Sequence, residues 1–151
     1  RNPVRTEELK RRYGARENLI FETDFSTNES QYTSNILITD WSGISMEYAF
    51  VTHNPCIFID TPMKVLNPDY MRYESVPALL EIRDKIGVCF RPDDVAGIAG
   101  AVENMLSGAL LSASEVAAIT EQYVYHVGKS GQVGARYIIE ALKGRREKKG
   151  E

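Results

Sequence analysis

Two short apolar segments on either side of one helix-length stretch constrain the fold of this chain most. Residues 36–40 are Ile-Leu-Ile-Thr-Asp and residues 56–60 are Cys-Ile-Phe-Ile-Asp, and each segment has the length and composition of a buried strand. Residues 42–51 between them suit a helix, which His53-Asn54-Pro55 would end. A strand, a helix and a strand with short loops form a right-handed crossover between parallel strands. We therefore predict an α/β fold with a mostly parallel sheet.

Further elements are predicted on both sides of this βαβ unit. Strands are expected at 18–21 and, as a last short edge strand, at 87–90. Pro92-Asp93-Asp94 is expected to cap a helix. Residues 61–77 contain three prolines and are predicted to be a long functional or mobile loop. Helices are predicted over 6–13, within 24–33, over 78–85, from 92 to about 106, from 112 or 114 to about 125, and over 133–142.

The turn between the first strand and its helix has the composition of a phosphate site. The first N–H groups of a helix lack intrahelical partners and carry the positive end of the helix dipole, so they attract anions. Ser42 adds a hydroxyl donor, and Gly43 allows the backbone to approach a ligand closely. The same residues also suit a turn that binds nothing. Asp40 suits ligand contact or a turn role, and Trp41 suits base stacking or packing.

A second group of candidate residues lies near the C-terminus, in and after the segment Gly128-Lys129-Ser130-Gly131. Lys129 and Ser130 can supply charge and donors to a phosphate, and Arg136 can bind one with two hydrogen bonds. His126 precedes this segment and is a candidate base. Each also has a structural interpretation, as a surface loop residue or an arginine on a helix surface.

Composition favours one globular domain at residues 1–142, followed by a basic tail at residues 143–151. The tail is either disordered or docks on an anionic membrane surface.

A net charge of -3 with mixed signs argues against a nucleic-acid partner. The two histidines and two cysteines have no metal-ligand spacing. Cys56 and Cys89 lie in apolar runs and are predicted to be buried, reduced thiols of a cytosolic protein.

Residues 35–60 resemble the C-terminal half of the CDP-glycerol glycerophosphotransferase family, the teichoic-acid-type polymerases and primases. The resemblance is carried by a strand, Thr-Asp-aromatic-Ser, a helix with an acidic residue, and then Pro and a second strand. Residues 128–131 and Arg136 are more weakly similar to the segment before that family's last helix. The family has a GT-B architecture of two Rossmann-like domains. The resemblance therefore implies that this chain is a three-layer, Rossmann-like donor-binding domain.

The resemblance also implies roles for the candidate residues. Ser42 and Gly43 would hold the diphosphate of a CDP-activated donor, with Asp40 beside them. Glu47 would bind the ribose hydroxyls, as a glutamate at the matching offset does in nucleotide-sugar epimerases of the same architecture. Glu47 lies five residues after Ser42, a little over one helical turn, which suits that role. Lys129, Ser130 and Arg136 would add contacts to the donor phosphates.

The implied activity is transfer of glycerol phosphate from CDP-glycerol to an acceptor hydroxyl during cell-envelope polymer synthesis, without a metal or other cofactor. The implied partner is the N-terminal half of the same enzyme, and the implied location is the cytoplasm, peripheral to the inner face of the cell membrane. The family's His-Pro motif corresponds here to Asn2-Pro3, and the chain begins at Arg1. We therefore expect a fragment that binds the donor without turning it over. The alternatives are a donor domain of a UDP-sugar-dependent GT-B glycosyltransferase or epimerase, and a non-catalytic binding module.

Overall fold

The computed structural model describes residues 3–24, 29–63, 69–72 and 76–147. It divides into two compact units, Arg1–Ser30 and Gln31–Glu151. The first unit contains helix α1 (Pro3–Tyr13), which ends where Gly14 N–H donates to the Lys10 carbonyl at 2.7 Å. The predicted helix within 24–33 is the short α2 (Glu29–Thr33), and its predicted caps Ser26 and Thr27 lie outside the described residues.

The strand predicted at 18–21 is wrong. Leu19 N–H donates to the Arg16 carbonyl at 3.2 Å, so the chain turns at this point, and Ile20 is exposed. The described part of the first unit contains no strand. An extended segment without a neighbour leaves its backbone donors and acceptors unpaired, so apolar composition alone does not make a strand.

The second unit contains a three-stranded sheet and the remaining helices. Its strands are β1 (Leu37–Thr39), β2 (Cys56–Ile59) and β3 (Gly87–Phe90). The described helices that follow α2 are α3 (Ile44–Thr52), α4 (Ala78–Ile86), α5 (Ile98–Leu106), α6 (Ala113–Tyr123) and α7 (Ser130–Glu147). Single turns of 3-10 helix lie at Tyr70–Arg72 and Val95–Gly97.

The sheet is parallel throughout, with the order β1-β2-β3. Leu37 pairs with Cys56, and Cys56 pairs with Gly87. The amino ends of the three strands therefore lie side by side, and so do their carboxyl ends. The predicted α/β fold with a parallel sheet is confirmed. Parallel strands need crossover connections, and the chain between Thr39 and Cys56 provides one through α3.

Side chains on the central strand β2 alternate between two apolar clusters. Cys56 and Phe58 belong to one cluster and Ile57 to the other, as expected for successive residues of a strand. Helices α3, α4 and α6 contribute buried residues to the first cluster, and α5 contributes to the second. The helical members are Tyr48, Ala49, Ile82, Ile86 and Val116 in the first cluster, and Ala101 and Met105 in the second.

The prediction that both thiols are buried is correct for Cys56 and wrong for Cys89. Strand β3 has a neighbouring strand on one side only, so fewer atoms cover its side chains than cover those of the central strand. The exposed Cys89 Sγ lies 3.3 Å from Asp84 Oδ1 and donates to it. Burial raises the pKa of Cys56 to about 12. Partial loss of hydration and the Asp84 contact raise the pKa of Cys89 to about 11.

The structure defines the start and end of the last two helices. The helix predicted to start at 112 or 114 has Ser112 as its N-cap. A capping box forms there, in which Ser112 Oγ accepts from Glu115 N–H and the Glu115 carboxylate accepts from Ser112 N–H. Helix α7 extends beyond the predicted 133–142 at both ends, and residues 143–147 of the predicted tail continue it. Much of the predicted loop 61–77 lies outside the described residues.

Candidate anion-binding site

The turn that holds Ser42 and Gly43 lies directly after the carboxyl end of β1, where the chain enters α3. Gly43 is the N-cap residue of α3, with a right-handed backbone (φ -62°, ψ -18°), and none of the described side chains caps the helix. This position follows from the sequence, because the apolar strand ends at Asp40 and the helix begins two residues after Ser42. In parallel α/β sheets, ligands bind beyond the carboxyl ends of the strands, so the turn is well placed for a site.

Hydrogen bonding within the turn leaves three donors without a partner among the described residues. The N–H groups of Ser45 and Met46 donate to the carbonyls of Ser42 and Gly43, at 3.3 and 3.1 Å. Ser45 Oγ also donates to the Ser42 carbonyl, at 2.9 Å. Among the described residues, nothing accepts from the N–H groups of Gly43 and Ile44 or from Ser42 Oγ. Two backbone amides and one hydroxyl at a helix N-terminus are a suitable donor set for an anion.

Gly43 leaves open space beside these donors. Apart from its two chain neighbours, no described residue has a heavy atom within 4 Å of the place that a Cβ atom on Gly43 would take, and the right-handed backbone is accessible to any L-residue. The fold therefore imposes no need for glycine here. A ligand that approaches the two amides would occupy that open space.

Glu47 and Asp40 flank the turn on its two sides. Glu47 is exposed on α3, four residues after Gly43, and residues at this spacing lie on the same face of a helix. Glu47 thus lies about one helical turn after the free amides. Asp40 is also exposed, and no described residue hydrogen-bonds to its side chain. It therefore neither caps α3 nor closes the turn.

A buried arginine beside the turn was not predicted from the sequence. Arg83 of α4 is 5% exposed, and its Nη2 lies 2.7 Å from Asp60 Oδ1, just after β2. Its guanidinium carbon lies 3.7 Å from the centroid of the Trp41 ring and 4.7 Å from that of Phe58. Trp41 Nε1 donates to the Thr61 carbonyl at 2.5 Å. We refer to Trp41, Asp60 and Arg83 as the arginine clamp.

One signal in the sequence could have indicated that Arg83 faces inward. It lies four residues after Leu79 and three before Ile86, the spacing of a single helix face. Its neighbour Ile82 is fully buried, as is Ile86. An arginine within an apolar helix face needs a nearby carboxylate or aromatic ring, and Asp60 directly follows the preceding strand.

The second predicted group forms a local structure of its own. Ser130 Oγ donates to the carbonyls of Tyr125 and His126, at 2.7 and 3.0 Å, so its hydrogen is already used. His126 has a positive φ of 55°, and its carbonyl also accepts from Lys129 N–H at 2.7 Å. Arg136 is exposed on α7. Within the described chain, no hydrogen bond or ion pair joins Lys129, Ser130 or Arg136 to the turn.

A cavity of about 320 Å³ lies at the other end of the sheet, where the strands begin. Asn35, Asn54 and Pro55 line it from the amino ends of β1 and β2. Residues around the end of α5 and the start of α6 form its other walls: Met105, Leu106, Ser107, Gly108, Leu111, Ser112 and Ala113. The cavity thus contains none of the predicted site residues.

Over the described ranges, no group of three or more His, Cys, Asp or Glu side chains is arranged to hold a metal ion. None of the helices described here is both long and apolar enough to cross a bilayer.

A comparison of the chain with family models, curated proteins and solved structures found no match. A functional assignment therefore depends on the turn itself and on the sequence resemblance.

Proposed function

We propose that this chain is the donor-binding domain of a CDP-glycerol glycerophosphotransferase-like enzyme. In this proposal the parallel sheet and its helices are the three-layer, Rossmann-like C-terminal half of a GT-B fold. The other half of the site would come from an N-terminal domain of the same enzyme. The parent enzyme would act in the cytoplasm, at the inner face of the cell membrane, on an acceptor that belongs to a cell-envelope polymer.

The observation that carries this proposal is the set of unpartnered donors at the end of β1. Ser42 Oγ and the amides of Gly43 and Ile44 have no acceptor among the described residues, and the space beside Gly43 is open. A diphosphate supplies several negatively charged oxygens to such donors, and the helix dipole adds favourable charge. The resemblance of residues 35–60 selects a CDP-linked donor from the larger group of nucleotide diphosphates.

The chemistry in the parent enzyme would be displacement at the donor's β-phosphorus. A bond forms between the acceptor oxygen and this phosphorus, while the bond to the CMP oxygen breaks and CMP leaves with the electron pair. Ser42 and the two amides would stabilise the negative charge on the phosphate oxygens as the leaving group departs. Glu47 would accept hydrogen bonds from the ribose hydroxyls one helical turn away.

The acceptor proton needs a base, and we assign that role to the parent's N-terminal half. Within this chain, His126 remains a candidate base. Lys129, Ser130 and Arg136 remain candidates for phosphate contacts. Under this proposal the present chain binds the donor without converting it, because proton transfer requires a base within hydrogen-bond distance of the acceptor. We propose no metal or other cofactor for the site.

Titration of the isotope-labelled chain with nucleotides, followed by NMR chemical shifts, tests this proposal. CDP-glycerol and CDP-ribitol should shift the amide signals of Gly43 and Ile44, and CMP should bind more weakly because it lacks the second phosphate. A response to UDP-glucose alone would overturn the CDP assignment and favour a glycosyltransferase or epimerase domain. No response to any nucleotide diphosphate at millimolar concentration would overturn donor binding and favour a non-catalytic module.

A further inference from the structure

Arg83 connects the segments that follow two neighbouring strands. Its Nη2 binds Asp60 after β2, and its guanidinium lies over the ring of Trp41 after β1. Trp41 is also fixed from the other direction, since its Nε1 donates to the Thr61 carbonyl. The arginine clamp therefore holds together the carboxyl ends of β1 and β2.

Fold stability alone gives a weak reason for an arginine at this place. Removing a guanidinium from water is costly, and an apolar side chain of similar size often serves a protein interior equally well. The Asp60 carboxylate is 38% exposed, which weakens its attraction to the arginine. Arg83 Nε is buried and has no hydrogen-bond acceptor in the part of the chain that the structure describes. The arginine thus leaves part of its hydrogen-bonding capacity unused inside the protein.

The position of Trp41 gives a stronger reason. Trp41 immediately precedes Ser42, so the orientation of its backbone determines where the Ser42 hydroxyl and the Gly43 amide point. A large ring held by a hydrogen bond and a stacked guanidinium cannot rotate without losing both contacts. A turn fixed in this way has lost its freedom before a ligand arrives, which reduces the entropic cost of binding.

We propose that Arg83 is a positioning residue for the anion-binding turn and acts through Trp41. It sets the Ser42 hydroxyl and the Gly43 and Ile44 amides in the arrangement that receives a diphosphate. This inference rests on the proposed donor-binding function. Arg83 itself need not touch the ligand.

The test uses the intrinsic signal of Trp41, which is the one tryptophan in the sequence. Arg83→Met retains most of the side-chain volume and loses the charge, whereas Arg83→Lys retains a cation without the planar guanidinium. Asp60→Asn weakens the anchor and leaves the buried arginine in place, so it replaces Arg83→Met should that variant fail to fold. Arg5→Met is the control, because it removes an exposed arginine that pairs with Glu8 within α1.

Two measurements are made on each folded variant. The first is the near-ultraviolet circular dichroism and acrylamide quenching of Trp41 without ligand. The second is calorimetric titration with CDP-glycerol and with inorganic pyrophosphate. In Arg83→Met we expect the dichroic band of Trp41 to be lost and acrylamide to quench the fluorescence of Trp41 more readily. This variant should also bind both probes about tenfold more weakly. Arg83→Lys should recover part of the affinity, and Arg5→Met should match the wild-type chain.

The outcomes separate this inference from the proposed function. If the wild-type chain binds and Arg83→Met binds equally well, the inference is overturned and donor binding stands. An unchanged Trp41 signal together with weaker binding also overturns it, because Arg83 would then act without Trp41. If the wild-type chain binds neither probe, the proposed function is overturned and the inference falls with it.

Discussion

A Cβ atom on Gly87 would overlap the carbonyl oxygen of Cys56, its partner across the sheet. It would also lie 2.8 Å from Cε2 of Phe58. Glycine at residue 87 is therefore required by the close approach of β2 and β3. Gly43 is the opposite case, because its surroundings are open.

This contrast predicts that alanine at residue 87 lowers stability, whereas alanine at residue 43 lowers the affinity for the ligand. Gly87→Ala should lower the free energy of unfolding by about 3 kcal/mol, since rigid backbone must move to relieve the overlap. Gly43→Ala should change it by less than about 1 kcal/mol, because its backbone is right-handed. Yet Gly43→Ala should bind CDP-glycerol at least about tenfold more weakly, since the new methyl group fills the open space. Urea unfolding and calorimetry measure the two effects. Equal affinity of Gly43→Ala and the wild-type chain would contradict the assigned site.

Ser42→Ala should weaken binding without weakening the fold. Ser42 Oγ makes no hydrogen bond to the described residues, so its loss should cost under about 0.5 kcal/mol of stability. A hydrogen bond to a charged phosphate is worth about 1.5–3 kcal/mol, so the dissociation constant for CDP-glycerol should rise about tenfold or more. Ser107→Ala is the matched control, because its hydroxyl donates to Asn104 O at the end of α5. A loss of affinity in both variants would point to a general structural effect.

Glu47→Gln should separate ribose recognition from phosphate recognition. We expect weaker binding of CDP-glycerol, because an amide is a poorer acceptor for the ribose hydroxyls than a carboxylate. Inorganic pyrophosphate has no ribose, and it should bind equally well or slightly more tightly once the negative charge is removed. Parallel titrations with the two ligands measure the difference. Equal weakening for both would exclude a ribose-specific role for Glu47.

The capping box of α6 predicts a component of stability that is lost in acid. Hydrogen bonds from the Ser112 side chain and backbone hold the pKa of the exposed Glu115 carboxyl below its ordinary value of 4.5. A carboxyl whose pKa is depressed by folding stabilises the folded state above its ordinary pKa. That contribution disappears as the pH falls through the folded-state pKa.

Ser112→Ala should therefore lower the melting temperature near neutral pH and have a smaller effect in acid, once the pH has fallen below the depressed pKa of Glu115 in the folded wild-type chain. The cost near neutral pH should be about 1 kcal/mol, typical of a lost N-cap. Thermal unfolding of both chains from pH 7 to pH 3 measures the difference. A difference that stays constant over this range would contradict the proton linkage.

The two thiols should differ in access while both remain poorly reactive. The pKa of Cys89 is raised to about 11 and that of Cys56 to about 12, so little thiolate exists near neutral pH. An aromatic disulfide reagent at pH 8 should modify the exposed Cys89 slowly and Cys56 only after unfolding. Mass spectrometry of the modified chain, with and without urea, distinguishes these cases. Rapid modification of Cys56 in the folded chain would contradict its burial.

Local sequence patterns predicted the parts of the fold that local interactions determine. The strands at 36–40 and 56–60 and the start of a helix at Ser112 or Ser114 follow from runs and spacings of a few residues. The predicted strand at 18–21 failed because a strand also needs a neighbour, which its own composition cannot provide. Cys89 was misplaced for a related reason, since the burial of a side chain on an edge strand depends on which distant parts of the chain cover it.

The candidate site shows the same division. The placement of Ser42 and Gly43 after a strand and before a helix is confirmed, because it depends on adjacent residues. Arg83 was missed because its burial depends on Trp41 and Asp60, which lie far from it in the chain. Whether Lys129 and Arg136 reach the ligand also depends on distant contacts, and their roles stay predictions.

Helix α4 ends at Ile86 and strand β3 begins at Gly87, with no residue between them. The rotation of the helix and the register of the strand are therefore fixed together, and neither can adjust to a change in length. One inserted residue would turn the alternate side chains of β3 to the other face or rotate Arg83 away from Trp41. This junction should accordingly tolerate no insertion or deletion.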